Sequence, residues 1–178
     1  YLNNFKSKEI KYLEIGPGHG LFLNESLALI SKKSTVDVID ISPSSIKMSK
    51  NIIEYFNPSF NNINYLTKDI LKFNTKNKYD FIVAGEILEH LDKPLSFLIK
   101  ILTLLSENGI AFISTCINCP AIDHIVHFKS IDEVRNFLKE SNLLIIDERI
   151  HPVEDLEMKE IIEQKITINY SVIVKNNS

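Results

Sequence analysis

The chain has 178 residues, of which 44% are hydrophobic and 24% are charged, and this content supports one complete hydrophobic core. The net charge is −3 and only two of the twenty basic residues are arginine, so nucleic acid is not an expected partner. No run approaches the roughly 18 apolar residues of a membrane span, and the first residues lack a signal-peptide pattern. We therefore expect a soluble cytoplasmic protein with no membrane partner.

The first informative stretch joins a short apolar run, Ile10 to Ile15, to a helix-like run that begins at Leu21. Three glycines spaced by two lie between the runs. Such a turn lets a ligand lie against bare main chain, and the helix N-terminus adds unpaired N–H groups. The dinucleotide fingerprint G-x-G-x-x-G does not fit, because its third glycine would fall at Leu21. The pattern predicts a nucleotide-like ligand, with a tight structural turn as the alternative.

The second strand is predicted from Thr35 to Ile41 and is followed by Ser42-Pro43, a typical start for a helix that we expect to run to about Tyr55. Asp40 lies 20 residues beyond the last glycine of the turn, at the carboxyl end of this strand. An acidic side chain at this position can accept hydrogen bonds from both hydroxyls of a ribose. Alone, it would be equally well explained as an ordinary loop carboxylate.

Further runs predict strands from Ile63 to Leu66, Tyr79 to Ala84, Ile110 to Thr115, Leu143 to Ile146 and Ile166 to Val174. A helix is predicted from Pro94, with Ser106–Gly109 as the turn that ends it. A capping box at Ser130–Glu133 predicts a second helix to about Glu140, with Asn142 as its terminator. The fold class is therefore α/β: a doubly wound, Rossmann-like, mostly parallel seven-stranded sheet with an antiparallel C-terminal strand and helices on both faces.

Two strings resemble motifs of one family. Glu14-Ile-Gly-Pro-Gly-His-Gly20 resembles the first motif of class I S-adenosylmethionine-dependent methyltransferases. Gly85-Glu-Ile-Leu-Glu-His-Leu91 resembles the motif that follows the fourth strand in the members that act on small molecules. The resemblance implies S-adenosylmethionine as the cofactor and residues 1–178 as a single catalytic domain. Members usually carry helices before the first motif that cover the cofactor, so we expect such cover helices to be missing from this chain.

The resemblance also implies which residues bind the cofactor. The carboxylate before the glycines would hold the amino-acid end of the cofactor, and the glycine loop would pass under its methionine and ribose portions. The acidic residue after strand two would bind the ribose, and the one after strand three would bind the adenine amine. The segment after strand four would lie beside the reactive sulfur. The implied cofactor-binding residues are Glu14, Gly16, Gly18, Gly20, Asp40, Ile41, Asp69, Ile70 and Glu86.

The segment from Cys116 to Phe128 contains two cysteines and two histidines. The spacing C-x2-C-x4-H-x2-H is not a common structural zinc pattern, and the C-x-x-C does not stand where a thioredoxin-like pair would, so we expect no metal. A plain polar loop is the alternative. We favour a wall of the acceptor pocket at the carboxyl end of the sheet.

Histidine titrates near neutral pH, so three histidines are candidates to orient or deprotonate an acceptor, although each could be structural. The candidate catalytic residues are His90, His124 and His127, and the candidate substrate-binding residues are Asn118 and Asp123. No Asn-Pro-Pro-Tyr follows strand four, which weighs against methylation of nucleobases or glutamine amides.

The predicted function is methyl transfer to a small-molecule acceptor, on oxygen, nitrogen or carbon, by in-line displacement. The protein must align the acceptor with the methyl group, exclude water and remove a proton when the acceptor requires it. Two alternatives remain open, namely a non-catalytic S-adenosylmethionine-binding module and an NAD-dependent oxidoreductase. The oligomeric state is left open.

Overall fold

The computed structural model describes residues 1–6 and 8–177. Seven strands form one sheet in the spatial order β3-β2-β1-β4-β5-β7-β6. Their bounds are β1 Lys11–Ile15, β2 Thr35–Asp40, β3 Ile63–Thr67, β4 Tyr79–Ala84, β5 Leu105–Ile117, β6 Leu143–Pro152 and β7 Ile168–Asn176. The first five strands pair in parallel, whereas β7 is antiparallel to both β5 and β6. The predicted fold class is confirmed.

Helices cover both faces of the sheet. Their bounds are α1 Leu21–Leu29, α2 Pro43–Phe56, α3 Pro94–Leu104, α4 Ile131–Glu140 and α5 Met158–Glu163. Leu27 of α1 and Ile53 of α2 belong to one core, whereas Leu98 of α3 and Leu138 of α4 belong to the other. Between β3 and β4 the described chain has only the 3-10 helix Ile70–Lys72, so the strict alternation of strands and helices is interrupted there.

The predicted helix starts are confirmed, with one difference in detail. The Ser42 hydroxyl accepts the Ser45 N–H at 3.3 Å, and Pro43 occupies the first turn of α2. The Ser130 hydroxyl likewise accepts the Glu133 N–H at 3.3 Å. The Glu133 carboxylate, however, accepts the Lys129 N–H at 2.8 Å rather than the N–H of the cap residue. Only half of the predicted capping box therefore forms.

The turn predicted at Ser106–Gly109 is instead part of β5. Leu105 pairs with Tyr79 and Ile110 pairs with Phe81, so four residues of β5 stand opposite Asp80 alone. The Ser106 hydroxyl donates to Asp80 Oδ1 at 2.9 Å and closes this bulge. The turn-forming residues correctly marked an irregularity, but parallel pairing with β4 begins before it.

The C-terminal elements differ from the prediction in their bounds. β6 extends to Pro152, because its pairing with β7 continues through a polar, partly exposed stretch that has no hydrophobic signal. β7 begins at Ile168 rather than Ile166. Helix α5 was not predicted. None of the helices formed by residues 1–6 and 8–177 combines the length and apolar character that crossing a membrane needs.

The bulge yields a stability prediction. A Cβ added at Gly109 would lie 2.5 Å from the Tyr79 carbonyl oxygen and 2.9 Å from the Ser106 nitrogen, both backbone atoms. We expect Gly109→Ala to lower the free energy of unfolding by roughly 1–3 kcal/mol, because the backbone must shift to admit the methyl group. The exposed neighbour provides the control, since Asn108→Ala should change the urea midpoint little. Equal midpoints for the two variants would contradict this account of the bulge.

Candidate functional site

The carboxyl ends of the parallel strands lie in register along one edge of the sheet. Ile15 pairs with Ile39 on one side and with Ala84 on the other, and Ala84 pairs with Ile113. The segments that leave these ends are held by main-chain bonds, including Gly16 N–H to the Ile39 carbonyl at 2.9 Å. The glycine turn, Asp40 and Glu86 are therefore brought to the same edge, as the sequence predicted.

Each glycine of the turn has a positive φ, but the three have different surroundings. At Gly16 a Cβ would lie 2.5 Å from the Ile87 side chain, and at Gly20 it would lie 3.3 Å from the Ser49 main chain. These two glycines permit close packing. At Gly18, where φ is +51°, nothing lies within 4 Å of an added Cβ. Gly18 thus presents bare backbone to open space, the condition under which a ligand can lie against the main chain.

Glu14 is buried beneath this turn, with 2% of its surface exposed. The Tyr12 hydroxyl donates to its Oε2 and also lies 3.0 Å from the Ser26 hydroxyl of α1. No lysine or arginine contacts the carboxylate in the described chain. Burial raises the pKa of Glu14 to about 8, and the bond from Tyr12 offsets only part of this effect. The site therefore contains a buried carboxyl group that lacks a positive partner.

The other residues that are predicted to bind the cofactor differ in how many of their polar atoms are free to contact a ligand. Asp40 Oδ1 accepts the Ser42 N–H at 2.7 Å, while the neighbouring Ile41 is 73% exposed at the edge. Asp69 Oδ1 accepts the Leu71 N–H at 2.9 Å in a turn. The side chain of Ile70 is buried in the core, so only its main chain could meet a ligand.

Glu86 follows β4 in a strained conformation, with φ of +50°. Its N–H bonds to the Ser114 carbonyl at 3.0 Å and lies 3.1 Å from the Ser114 hydroxyl, which fixes the turn against β5. The residue is exposed, yet its carboxylate lies close to the carboxylate of the buried Glu89 and to the thiol of Cys116. Desolvation raises the pKa of Glu86, and the nearby negative charge of Glu89 adds to this effect.

Glu89 connects the chain segments that are predicted to bind the methyl acceptor, hereafter the acceptor side. It is 1% exposed, and its Oε2 accepts the Thr115 hydroxyl at 2.8 Å. Its main-chain carbonyl accepts the N–H groups of Ile125 at 2.8 Å and Val126 at 2.9 Å. One residue therefore joins the turn after β4, the end of β5 and the loop of residues 118–130, hereafter the acceptor loop.

The three predicted histidines come together on this side. The rings of His90 and His124 have centroids 4.9 Å apart, and those of His124 and His127 are 6.3 Å apart. His90 Nδ1 lies 2.9 Å from the Asp123 carbonyl oxygen, and His124 Nδ1 lies 2.7 Å from the Cys119 carbonyl oxygen. Asp123, predicted to bind substrate, thus holds His90 in place.

Two cysteines complete the cluster. Cys116 is buried and Cys119 partly so, and both are free thiols. Burial, together with the neighbouring Cys119 thiol and the acidic side chains, raises the pKa of Cys116 well above its usual value, so this thiol is not an activated nucleophile. The structure gives no support to a redox role for the pair.

A cavity of about 820 Å³ adjoins this cluster, a size suited to a small organic ligand. Cys119 and His127 lie on the side towards the cluster, and Asn118, another predicted substrate residue, also lines it. Asn118 has φ of +52°, so a second strained residue marks the edge here. Met158 and Ile162 of α5 also line the cavity, and its charged lining residues are Lys129, Asp132, Arg135 and Lys165.

Sequence reasoning missed two parts of this site. Glu89 stood in the string after strand four, but nothing in the pattern distinguished a buried carboxylate from an exposed one. Helix α5 had a usable signal, because Met158, Ile161 and Ile162 have helical spacing after Glu157, which forms a capping box with Glu160.

Comparison with known proteins identifies relatives over most of the chain. The family described as "Methyltransferase domain" matches residues 2–148. The mitochondrial ubiquinone biosynthesis O-methyltransferase of Schizosaccharomyces pombe is 28% identical over 83% of this chain and 59% of its own length. Malonyl-[acyl-carrier protein] O-methyltransferase 1 of Ilyobacter polytropus is 30% identical over 59% of this chain and 38% of its own. The chain therefore spans less than two thirds of the length of each of these two relatives.

Among solved structures, the N-methyltransferase NodS from Bradyrhizobium japonicum, in complex with S-adenosyl-L-homocysteine, is similar with a TM-score of 0.74. The match covers 99% of this chain and 84% of NodS at 19% identity, so it shows a shared fold.

The buried carboxyl group of Glu14 predicts a pH dependence of stability. Its pKa is raised in the folded state, so the unfolded state loses the proton first, and the free energy of unfolding should fall as pH rises from about 4.5 to about 8. The loss is roughly 1.4 kcal/mol for each pH unit between the two pKa values. Denaturant titrations from pH 5 to 8 should show a shallower fall in Glu14→Gln. The exposed Glu25 on α1 supplies the control, and a Glu25→Gln profile that changed equally would refute the assignment.

Proposed function

Because the chain belongs to the methyltransferase-domain family, we propose that it transfers the methyl group of S-adenosylmethionine to an oxygen atom of a small-molecule acceptor. The family confirms the resemblance to class I methyltransferases and the expectation of this cofactor. The observation that supports the activity is the alignment at one sheet edge of an open glycine turn, spaced carboxylates and a cavity lined in part by His127.

The described residues fit the cofactor. Gly18 leaves open space above the main chain, and the exposed Ile41 offers an apolar surface next to Asp40. In our proposal Asp40 accepts ribose hydroxyls through Oδ2, which no described residue bonds, and Asp69 accepts the adenine amine. Glu14 would accept the cofactor's ammonium group, which supplies the positive charge that its buried carboxylate lacks. Glu86 would lie beside the sulfonium centre.

An oxygen acceptor is supported by the relatives, since both the ubiquinone biosynthesis and the malonyl-[acyl-carrier protein] enzymes are named O-methyltransferases. We assign the cavity of about 820 Å³ to the acceptor. Its apolar lining residues, including Met158 and Ile162, suit a hydrophobic body, while His127 and Asn118 suit the reacting hydroxyl or carboxyl group. No nucleic-acid partner is proposed.

The cofactor supplies the electrophilic methyl group and a neutral thioether leaving group. The acceptor loop and the turn after β4 hold the acceptor oxygen in line with the methyl carbon and exclude water. His127 lies on the cavity wall and takes the proton from an acceptor hydroxyl, whereas His90 and His124 orient the reacting group. Methyl transfer would form the O–C bond as the cofactor's C–S bond breaks.

The remaining expectations stay predictions. A cytoplasmic location is one; among the relatives, the S. pombe protein is described as mitochondrial. The binding-module and oxidoreductase alternatives are separated by calorimetry with S-adenosylmethionine and NAD, followed by turnover over a panel of hydroxyl and carboxyl acceptors.

The ribose contact can be tested directly. Asp40→Ala should weaken S-adenosylmethionine binding by roughly 1.5–3 kcal/mol, because buried ribose hydroxyls lose their acceptor. Titration calorimetry provides the measurement. Glu54→Ala on the exposed side of α2 removes the same charge and should leave affinity unchanged. If both variants bind like the parent protein, Asp40 does not contact the cofactor.

The general base can be tested separately. His127→Ala should lower turnover about 10²–10⁴-fold with little change in S-adenosylmethionine affinity, because the histidine lies on the acceptor side. The exposed His151 of β6 offers a matched control, and His151→Ala should retain full turnover. A His127 variant with normal turnover would exclude it as the base.

A further inference from the structure

Lys165 ends helix α5 in a backbone conformation that favours glycine. Its φ is +54°, in the left-handed region. The Lys165 N–H bonds the Ile162 carbonyl at 3.2 Å and the Ile166 N–H bonds the Ile161 carbonyl at 2.9 Å, which are the two bonds of a Schellman motif. Glycine is the usual residue at this position, because a Cβ is disfavoured there. Lysine therefore stabilises the end of this helix less well than glycine would.

The same lysine lines the cavity that we assign to the acceptor. Residues held in a disfavoured conformation cluster where their side chains serve a site. Asn142 takes the corresponding position after α4, but asparagine adopts this conformation more readily than lysine does. The lysine at position 165 is thus better explained by its side chain than by its backbone.

The cavity lining carries more positive than negative charge. Its cationic residues are Lys129, Arg135 and Lys165, and its acidic residue is Asp132. The Arg135 guanidinium is already paired, with Asp132 at 2.9 Å and with Glu148 at 2.7 Å. Neither Lys129 nor Lys165 has an ion pair within the described chain. Their ammonium groups are therefore the lining charges that remain available to a ligand.

The two lysines come from different walls of the cavity. Lys129 belongs to the acceptor loop, and its main-chain N–H bonds the Glu133 carboxylate at 2.8 Å at the start of α4. Lys165 follows α5. His127, the proposed general base, lies two residues before Lys129 and lines the same cavity. An acceptor of this size can therefore present its reacting oxygen to His127 and a second, charged group to the lysines.

We propose that Lys129 and Lys165 form an anion-binding subsite, and that the methyl acceptor carries a carboxylate or phosphate group besides the oxygen that is methylated. The inference rests on the proposed function, because it takes the cavity to be the acceptor site. An ammonium group forms charge-assisted hydrogen bonds with either anion and does not impose one geometry. Met158 and Ile162 contact the apolar part of the acceptor.

Naphthalene derivatives are suitable test ligands, because their fluorescence reports binding and the chain contains no tryptophan. The protein, with excess S-adenosylhomocysteine, would be titrated with 6-hydroxy-2-naphthoate, with the neutral 6-hydroxy-2-naphthamide and with 2-naphthyl phosphate. We expect at least one anion to bind about fivefold more tightly than the amide, and this preference to shrink at high salt. The anion that binds more tightly identifies the charged group of the acceptor.

Lys165→Gly separates a role in binding from a role in folding. Glycine suits the left-handed position, so the urea midpoint should rise, whereas the preference for the anion should fall about threefold. Lys165→Arg should keep most of the preference, and Lys129→Ala should lose part of it. Asn142→Gly is the matched control, because it makes the same backbone change after α4 and outside the cavity lining. It should leave the preference unchanged.

Equal binding of anions and amide by the parent protein would overturn the proposal, as would an unchanged preference in both Lys165→Gly and Lys129→Ala. A lower urea midpoint in Lys165→Gly would also contradict it, because the lysine would then serve the fold. Turnover with S-adenosylmethionine tests the proposed function separately. Anion-dependent binding without methyl transfer to any acceptor would refute the proposed function and leave the subsite standing. Methyl transfer with no preference for anionic acceptors would refute the subsite alone.

Discussion

The acceptor side depends on one buried residue, Glu89. Its main-chain carbonyl accepts two N–H groups from the acceptor loop, and its carboxylate accepts the hydroxyl of Thr115 on β5. The bond from Thr115 is buried, so water cannot replace it at little cost. Glu89 therefore holds the acceptor loop against the turn after β4. This contact brings His90 and His124 together and shapes the adjoining cavity.

Two buried carboxylates, Glu14 and Glu89, stand in the two halves of the site. Each is nearly inaccessible, each accepts a hydroxyl hydrogen bond, and neither meets a lysine or arginine in the described chain. A structural carboxylate would normally be paired or placed in water. Under the proposed function, the cofactor's ammonium group would supply the positive partner that Glu14 lacks.

Two of the four described non-glycine residues with positive φ lie at the same edge. Glu86 and Asn118, with φ of +50° and +52°, follow the adjacent strands β4 and β5. Neither is glycine, so each conformation costs free energy that the surrounding contacts must offset. The Ser114 carbonyl holds Glu86, while the Thr167 hydroxyl donates to the Asn118 carbonyl at 2.9 Å. Such strain is typical of sites where the direction of a side chain matters more than local stability.

Local sequence patterns determined most of the fold and located the residues that are predicted to bind the cofactor. The glycine turn, the strand ends at Asp40 and Ala84, and the caps at Ser42 and Ser130 each depend on residues a few positions apart, so single-sequence reasoning could locate them. The roles of Glu14 and Asp69 came from resemblance to a family and remain predictions.

Only the tertiary structure decided the acceptor half. Glu89, Cys116 and His124 are separated by up to 35 positions, and their convergence depends on strand register and on main-chain bonds that carry no residue-specific signal. Spacing along the chain could not show that Glu89 lies among the cysteines and histidines. Glu89 differs from an ordinary acidic residue because it is buried. Its burial results from how distant segments pack, which the sequence pattern does not show.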